Sequence, residues 1–100
     1  MMASLHVTDH AIRQFRQRIA PLPEEEARRI IADTVERTPL DTWRLTSNRS
    51  AICIKSRRPF QFRALVRPGE RGLAVVTILK HGKRGANRAR LEAYRAAVAH

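Results

Sequence analysis

Two short stretches of this 100-residue chain carry side chains able to do chemistry on a phosphate. The first, VTDHAIRQFRQRI at 7–19, sets His10 at the opening of a helix and threads Arg13, Arg16 and Arg18 through the turns that follow. The second, KHGKRG at 80–85, joins His81 to Lys80, Lys83 and Arg84. Histidine titrates near neutral pH, so it can take a proton from a hydroxyl and return one to a leaving oxygen. Arginine offers a planar fork of N–H donors that matches two phosphate oxygens. These types suit cleavage of RNA without a metal. The 2′-hydroxyl loses its proton, its oxygen attacks the adjacent phosphorus, the leaving oxygen gains a proton, and cations steady the pentavalent centre. The candidate parts are His10, Arg18, Arg63 and His81, with Lys80 and Arg84 beside them. Spacing along the chain does not by itself bring them to one point. Each also has a plainer reading: His10 as a helix-start histidine donating to a backbone or carboxylate oxygen, His81 as a loop residue, and KHGKRG as a basic clamp on phosphate.

The charge balance points the same way. Twenty Lys and Arg against nine Asp and Glu give a net charge of +11. Residues 1–41 hold six basic and seven acidic side chains, whereas residues 42–100 hold fourteen basic ones and only Glu70 and Glu92. Charge segregated in this way favours a polyanionic partner, RNA or another nucleic acid first among them. Codon bias toward arginine, which supplies seventeen of the twenty cations, is the bland alternative. Other classes find no support. There is no apolar run long enough to span a membrane, and MMASLHV lacks the charged and apolar regions of a secretory signal. The single Cys53 suits a reducing cytoplasm and reads as a packed residue. Without paired cysteines, an HExxH or a phosphate-cradling Gly-rich loop, no metal and no cofactor is expected.

The elements that must position these residues can be read from periodicity. Thr8 can cap the first helix, with Asp9 in its first turn. Ile12, Phe15 and Ile19 fall within about 60° of one another at about 100° per residue. By the same count His10, Arg13, Gln14 and Gln17 lie opposite and are expected to face outward. PLP at 21–23 ends that helix. A second runs from Pro23 to near Thr38, its acidic start matching the helix dipole, with Ala27, Ile30, Ile31, Thr34 and Val35 inward. From residue 42 the period becomes two. Strands are predicted over 42–46, 51–55, 60–67 and 73–79, with turns at 47–50 and 68–72. LAVVTIL at 73–79 is apolar on both faces, as a central strand would be. A last helix is expected to bury Leu91, Tyr94 and Val98. The order is ααββββα in a single domain, 1–100. Trp43, Leu45, Ile52, Ile54, Phe60 and Phe62 are expected under the helices, leaving Arg44, Lys55, Arg63 and Arg67 on a wet face that can cradle a phosphate backbone. Arg13, Arg44, Lys55, Arg67, Lys80, Lys83 and Arg84 are thus the candidate nucleic-acid contacts.

HAIRQFRQRI resembles the opening signature of small BrnT-like and DUF4258-like proteins, a helix reading HA-x-x-R-x-x-x-R or a close variant. The late strand Val75-Val76-Thr77 and the order of elements are also similar to that group, which resembles the wider RelE-like toxins. The motif match rests on His10, Ala11 and Arg18; Gln14 stands where the signature has a middle arginine. The resemblance implies an α+β fold with two N-terminal helices packed on a four-stranded antiparallel curled sheet and a C-terminal helix. It further implies a toxin-type endoribonuclease that needs no metal and pairs with a cognate antitoxin. The alternative is a small basic phage or mobile-element protein without catalysis, which binds nucleic acid or blocks a host or defence complex. On the enzymatic reading His10→Ala and Arg18→Ala remove activity while each shifts stability by no more than about 0.5 kcal/mol. Activity and melting temperature of the two variants check this.

Overall fold

The computed structural model describes residues 5–46, 51–69, 72–82 and 85–99. The elements run β1 (Leu5–Val7), α1 (Asp9–Arg18), α2 (Glu24–Arg37), a 3-10 turn (Leu40–Thr42), β2 (Arg44–Leu45), β3 (Ile52–Ser56), β4 (Phe62–Gly69), β5 (Gly72–Lys80) and α3 (Ala86–Val98). The strands form one five-stranded mixed sheet in the order β1-β5-β4-β3-β2. The α+β class holds, and two details of the expected sheet change. There is a fifth strand, β1, and it pairs parallel with β5 over Leu5↔Leu73 to Val7↔Val75, so the sheet is not purely antiparallel. The predicted turn at 47–50 and the centre of the 68–72 hairpin lie outside the described residues.

The helices form where capping and periodicity place them. Thr8 caps α1, its Oγ1 accepting from Ala11 N at 3.1 Å and donating to Val75 O at 3.0 Å, so one side chain joins the helix start to the sheet. Ala11, Ile12, Phe15 and Ile19 from α1 meet Ala27, Ile30, Ile31 and Val35 from α2 over Ile54, Phe62, Ala64, Val66, Val75 and Ile78 of the sheet. Phe15 is the hub, with its ring edge-on to Phe60 at 5.8 Å and to Phe62 at 5.4 Å. Phe60 is buried from the turn before β4 and not from a strand.

Three expected burials differ. Gln14 is buried, and its Oε1 accepts from Ile78 N at 2.8 Å. The cause is where α1 sits. β1 covers only residues 73–75 of β5, so past Val75 the strand has no strand neighbour on that side, and α1 lies along it. The flank of the helix beside the apolar stripe, about 200–260° on the same wheel, therefore turns toward β5 and carries Gln14, Arg18 and Ala11. Leu45 is 63% exposed because β2 is two residues long and at the sheet's edge, beyond the helices. Val98 is 58% exposed, since α3 packs on the core through Leu91 and Tyr94, with Tyr94 5.6 Å from Phe60.

The wet face is as expected in register. Lys55 stands opposite Arg63, and Arg44 opposite Cys53, which in turn faces Leu65. Arg67 follows on the same side of β4 and is exposed. Substitutions in α1 separate packing from edge satisfaction. Phe15→Ala is expected to cost about 3–5 kcal/mol as a large-to-small change at the hub. Gln14→Ala is expected to cost about 1–3 kcal/mol by leaving a buried backbone N–H without a partner. Denaturant unfolding of both variants measures the two values.

Candidate functional site

His81 follows the last residue of β5 and lines two clefts at once. The first, about 600 Å³, lies between the end of α2, the 3-10 turn and the end of β3. Its cations are Arg37, Lys55, Arg57 and Arg58, and its hydroxyls Thr34, Thr38, Thr42 and Ser56. The second, about 630 Å³, lies between the end of α1 and the start of α3, with Arg18, Lys80 and Arg88 beside Ile19, Pro21 and Leu91. Among the described residues neither cleft is lined by a carboxylate. Among the described residues the one ion pair is Arg16 Nη1 with Glu24 Oε1 at 3.8 Å, on the far flank of α1.

Local structure holds His81 in this position. Gly82 takes a positive φ of 85°, and a Cβ there would run into the Gln61 carboxamide, so the chain needs glycine to turn out of β5 at this point. The other wall is pinned by Asn87. Its Oδ1 accepts from Gln61 N at 2.7 Å and its Nδ2 donates to Gln61 O at 2.8 Å, one side-chain amide imitating a strand partner. Ser56 Oγ donates to Phe60 O at 2.9 Å and closes the loop that carries Arg57 and Arg58.

The electrostatics are one-sided. Burial draws the His81 pKa below its ordinary 6.5, and the charges of Lys55, Arg63 and Arg57 draw it further down. A histidine held below 6.5 is neutral at pH 7 and can accept a proton. Lys55 and Arg63 face each other directly across β3 and β4, a like-charge pair that costs stability unless an anion joins it. Arg63 is half-buried, and its Nε has no hydrogen-bond partner.

Of the residues expected to act together, Arg63 and His81 are close enough to couple, and Arg18 shares a cleft with His81. Arg18 also has a structural task, because its Nη1 donates to Ile78 O at 3.2 Å, so the near-neutral stability expected of Arg18→Ala from the sequence does not hold for it. His10 is exposed at the other end of α1, near the Thr8 anchor on Val75. From Val75 to His81 is six residues of extended chain, about 20 Å, so these two histidines do not share a cleft, and the loss of activity expected of His10→Ala does not follow for a site at His81. Arg13 lies with Asp9, Arg16 and Glu24 in a pocket of mixed charge. Arg44 turns its guanidinium back, Nη1 donating to Asp41 O at 2.7 Å. Lys55 and Lys80 line the first and second clefts, Arg67 stays on the open sheet face, and Lys83 and Arg84 lie outside the described residues. Sequence reasoning missed Arg37, Arg57, Arg58 and Arg88. The Arg57-Arg58-Pro59 stretch, read only as a separator, was the available signal, since a turn that ends a strand beside the basic face must deliver its cations there.

Comparison with protein-family models, curated proteins and solved structures finds no match for this chain.

The pKa direction gives a stability statement. Because the folded value is lowered, the unfolded chain takes up the His81 proton first as pH falls, so His81 costs stability below 6.5 and contributes nothing above it. Lys55→Met is expected to raise the His81 pKa toward its ordinary value and to lessen that acid-side loss. Titration of the ring protons by NMR and melting curves across pH 5–7 (roughly the histidine range) test both parts.

Proposed function

We propose that this protein is an RNA-directed domain that holds the sugar-phosphate backbone in the clefts beside His81 and cleaves it without a metal. The observation that carries the reading is the cluster of Lys55, Arg57, Arg63 and His81, which is uniformly basic and, among the described residues, has no carboxylate in either cleft to neutralise it. A phosphate supplies the missing negative charge and relieves the repulsion between Lys55 and Arg63. His81, neutral at pH 7, takes the proton from the 2′-hydroxyl as that oxygen attacks phosphorus. Arg57 and Arg63 hold the charge of the pentavalent centre. Lys80, in the second cleft with His81, returns a proton to the leaving 5′-oxygen. Arg67 and the open sheet face extend the contact along the backbone. A toxin of the RelE/BrnT type, with a cognate antitoxin as partner, is the biological setting that fits this chemistry and the opening signature.

One observation favours the second reading, a non-enzymatic small basic protein of phage or mobile-element type that binds nucleic acid or blocks a host or defence complex. The separation of His10 from His81 leaves the clefts one histidine where two proton transfers are required.

Affinity for RNA is expected to fall by a factor of about 10³ or more between about 50 and 200 mM salt if six or more phosphates are engaged. Cleavage in EDTA should leave a 2′,3′-cyclic phosphate or a 3′-phosphate and spare DNA. His81→Ala should end cleavage while the salt-dependent binding persists. Intact RNA with steep salt dependence, including with translating ribosomes, establishes the binder instead. Absence of salt-dependent binding removes the nucleic-acid reading in both its enzymatic and binding forms.

A further inference from the structure

The first cleft has a feature that charge alone does not explain. Thr34, on the last full turn of α2, lines it with a side chain only 4% exposed. Its Oγ1 has no hydrogen-bond partner. The neighbouring hydroxyls are engaged: Thr38 Oγ1 donates to Thr34 O at 2.6 Å, Thr42 Oγ1 to Pro39 O at 2.7 Å, and Ser56 Oγ to Phe60 O at 2.9 Å. A buried hydroxyl without a partner is a standing cost that valine, of nearly the same shape, would avoid. Threonine in a helix keeps two χ1 wells, so one rotamer step exchanges methyl for hydroxyl at the cleft wall without moving the backbone. Arg37 and Arg58 line the same cleft, together with the Lys55 and Arg57 that also serve the phosphate at His81.

We infer that this cleft is a phosphate subsite and that Thr34 is its specificity-determining donor. The subsite takes the phosphate group next along the chain from the one at His81, and so rests on the reading of the protein as an RNA-backbone binder. The hydroxyl gives a neutral, directional donor among mobile cations. Phosphate is thereby distinguished from other anions by the hydrogen bond it accepts and not by charge alone. The C-terminal end of α2 opposes an anion with its dipole, and the four cations outweigh that partial charge.

The test uses the full chain as wild type, Thr34→Val and Thr34→Ser, with inorganic phosphate and a short single-stranded RNA as separate probes. Phosphate titrated into wild type should shift the Thr34 amide and the His81 ring resonances together and saturably. Thr34→Val should weaken phosphate binding about tenfold, the worth of a hydrogen bond to a charged group. Thr34→Ser should retain it. The melting temperature of Thr34→Val should equal or exceed that of wild type, which separates a ligand-binding hydroxyl from a structural one. Equal phosphate affinity in wild type and Thr34→Val overturns the inference, as does a titration that leaves Thr34 and His81 unshifted. If RNA then binds all three proteins alike, the subsite fails and the RNA reading stands. If phosphate binds in the Thr34-dependent manner and RNA does not bind wild type, the RNA reading fails and the subsite stands.

Discussion

The outer edge of β5 is the constraint around which the rest of the chain is arranged. The strand is nine residues long, but β1 covers only residues 73–75 of it. Past Val75 its backbone needs other partners, and burial makes an unmet N–H or C=O expensive. α1 provides them from residues four apart on one flank, with Gln14 accepting from Ile78 N and Arg18 donating to Ile78 O. That flank contact fixes the roll of α1, and the roll places Phe15 between Phe60 and Phe62. It also sets the C-terminal turn of α1 against the end of β5, where Arg18 and Ile19 become one wall of a cleft beside His81.

Satisfying this edge gives Gln14 a physical rationale that its place on the helix wheel does not. A carboxamide has both a donor and an acceptor, whereas a guanidinium only donates. Ile78 N–H requires an acceptor, and Gln14 Oε1 is one; an arginine at that position could not make the same bond. Gln14 therefore belongs to the local hydrogen-bonding scheme of this chain, and it lines neither of the cationic clefts beside His81.

Much of the architecture was legible because it follows from strong local signals. The Thr8 cap, the acidic start of α2, its inward set from Ala27 to Val35, and the alternation that places Lys55, Arg63 and Arg67 on one face are short-range patterns. β1 was not legible. Three residues, LHV, carry too little alternation to stand out, and the strand exists because β5 offers it an edge some seventy positions later. Gln14 was misplaced for a related reason: a wheel centred on apolar side chains cannot register a polar one buried to serve a distant backbone. At the candidate site, His81 and Arg63 could be named from residue type and their proximity could not. The grouping of His10 with them rested on shared chemistry, and β5 separates the two ends. Thr34 was legible as a buried position but not as an unsatisfied one, since that depends on where every neighbouring hydroxyl points.

The attachment of α3 has a consequence for motion. None of the helix's described residues reaches full burial, and among the described residues the Asn87 amide ties it by two bonds to Gln61, just before β4. Leu91 and Tyr94 add half-buried contacts. A segment held so lightly opens at a free energy well below that of global unfolding, as a separate cooperative unit. Its backbone amides then exchange with solvent deuterium sooner than those of β4 and β5, with the core still folded. Each such opening removes one wall of the cleft beside Lys80, so the shape of that cleft depends on the Asn87 amide and on the Leu91 and Tyr94 contacts together.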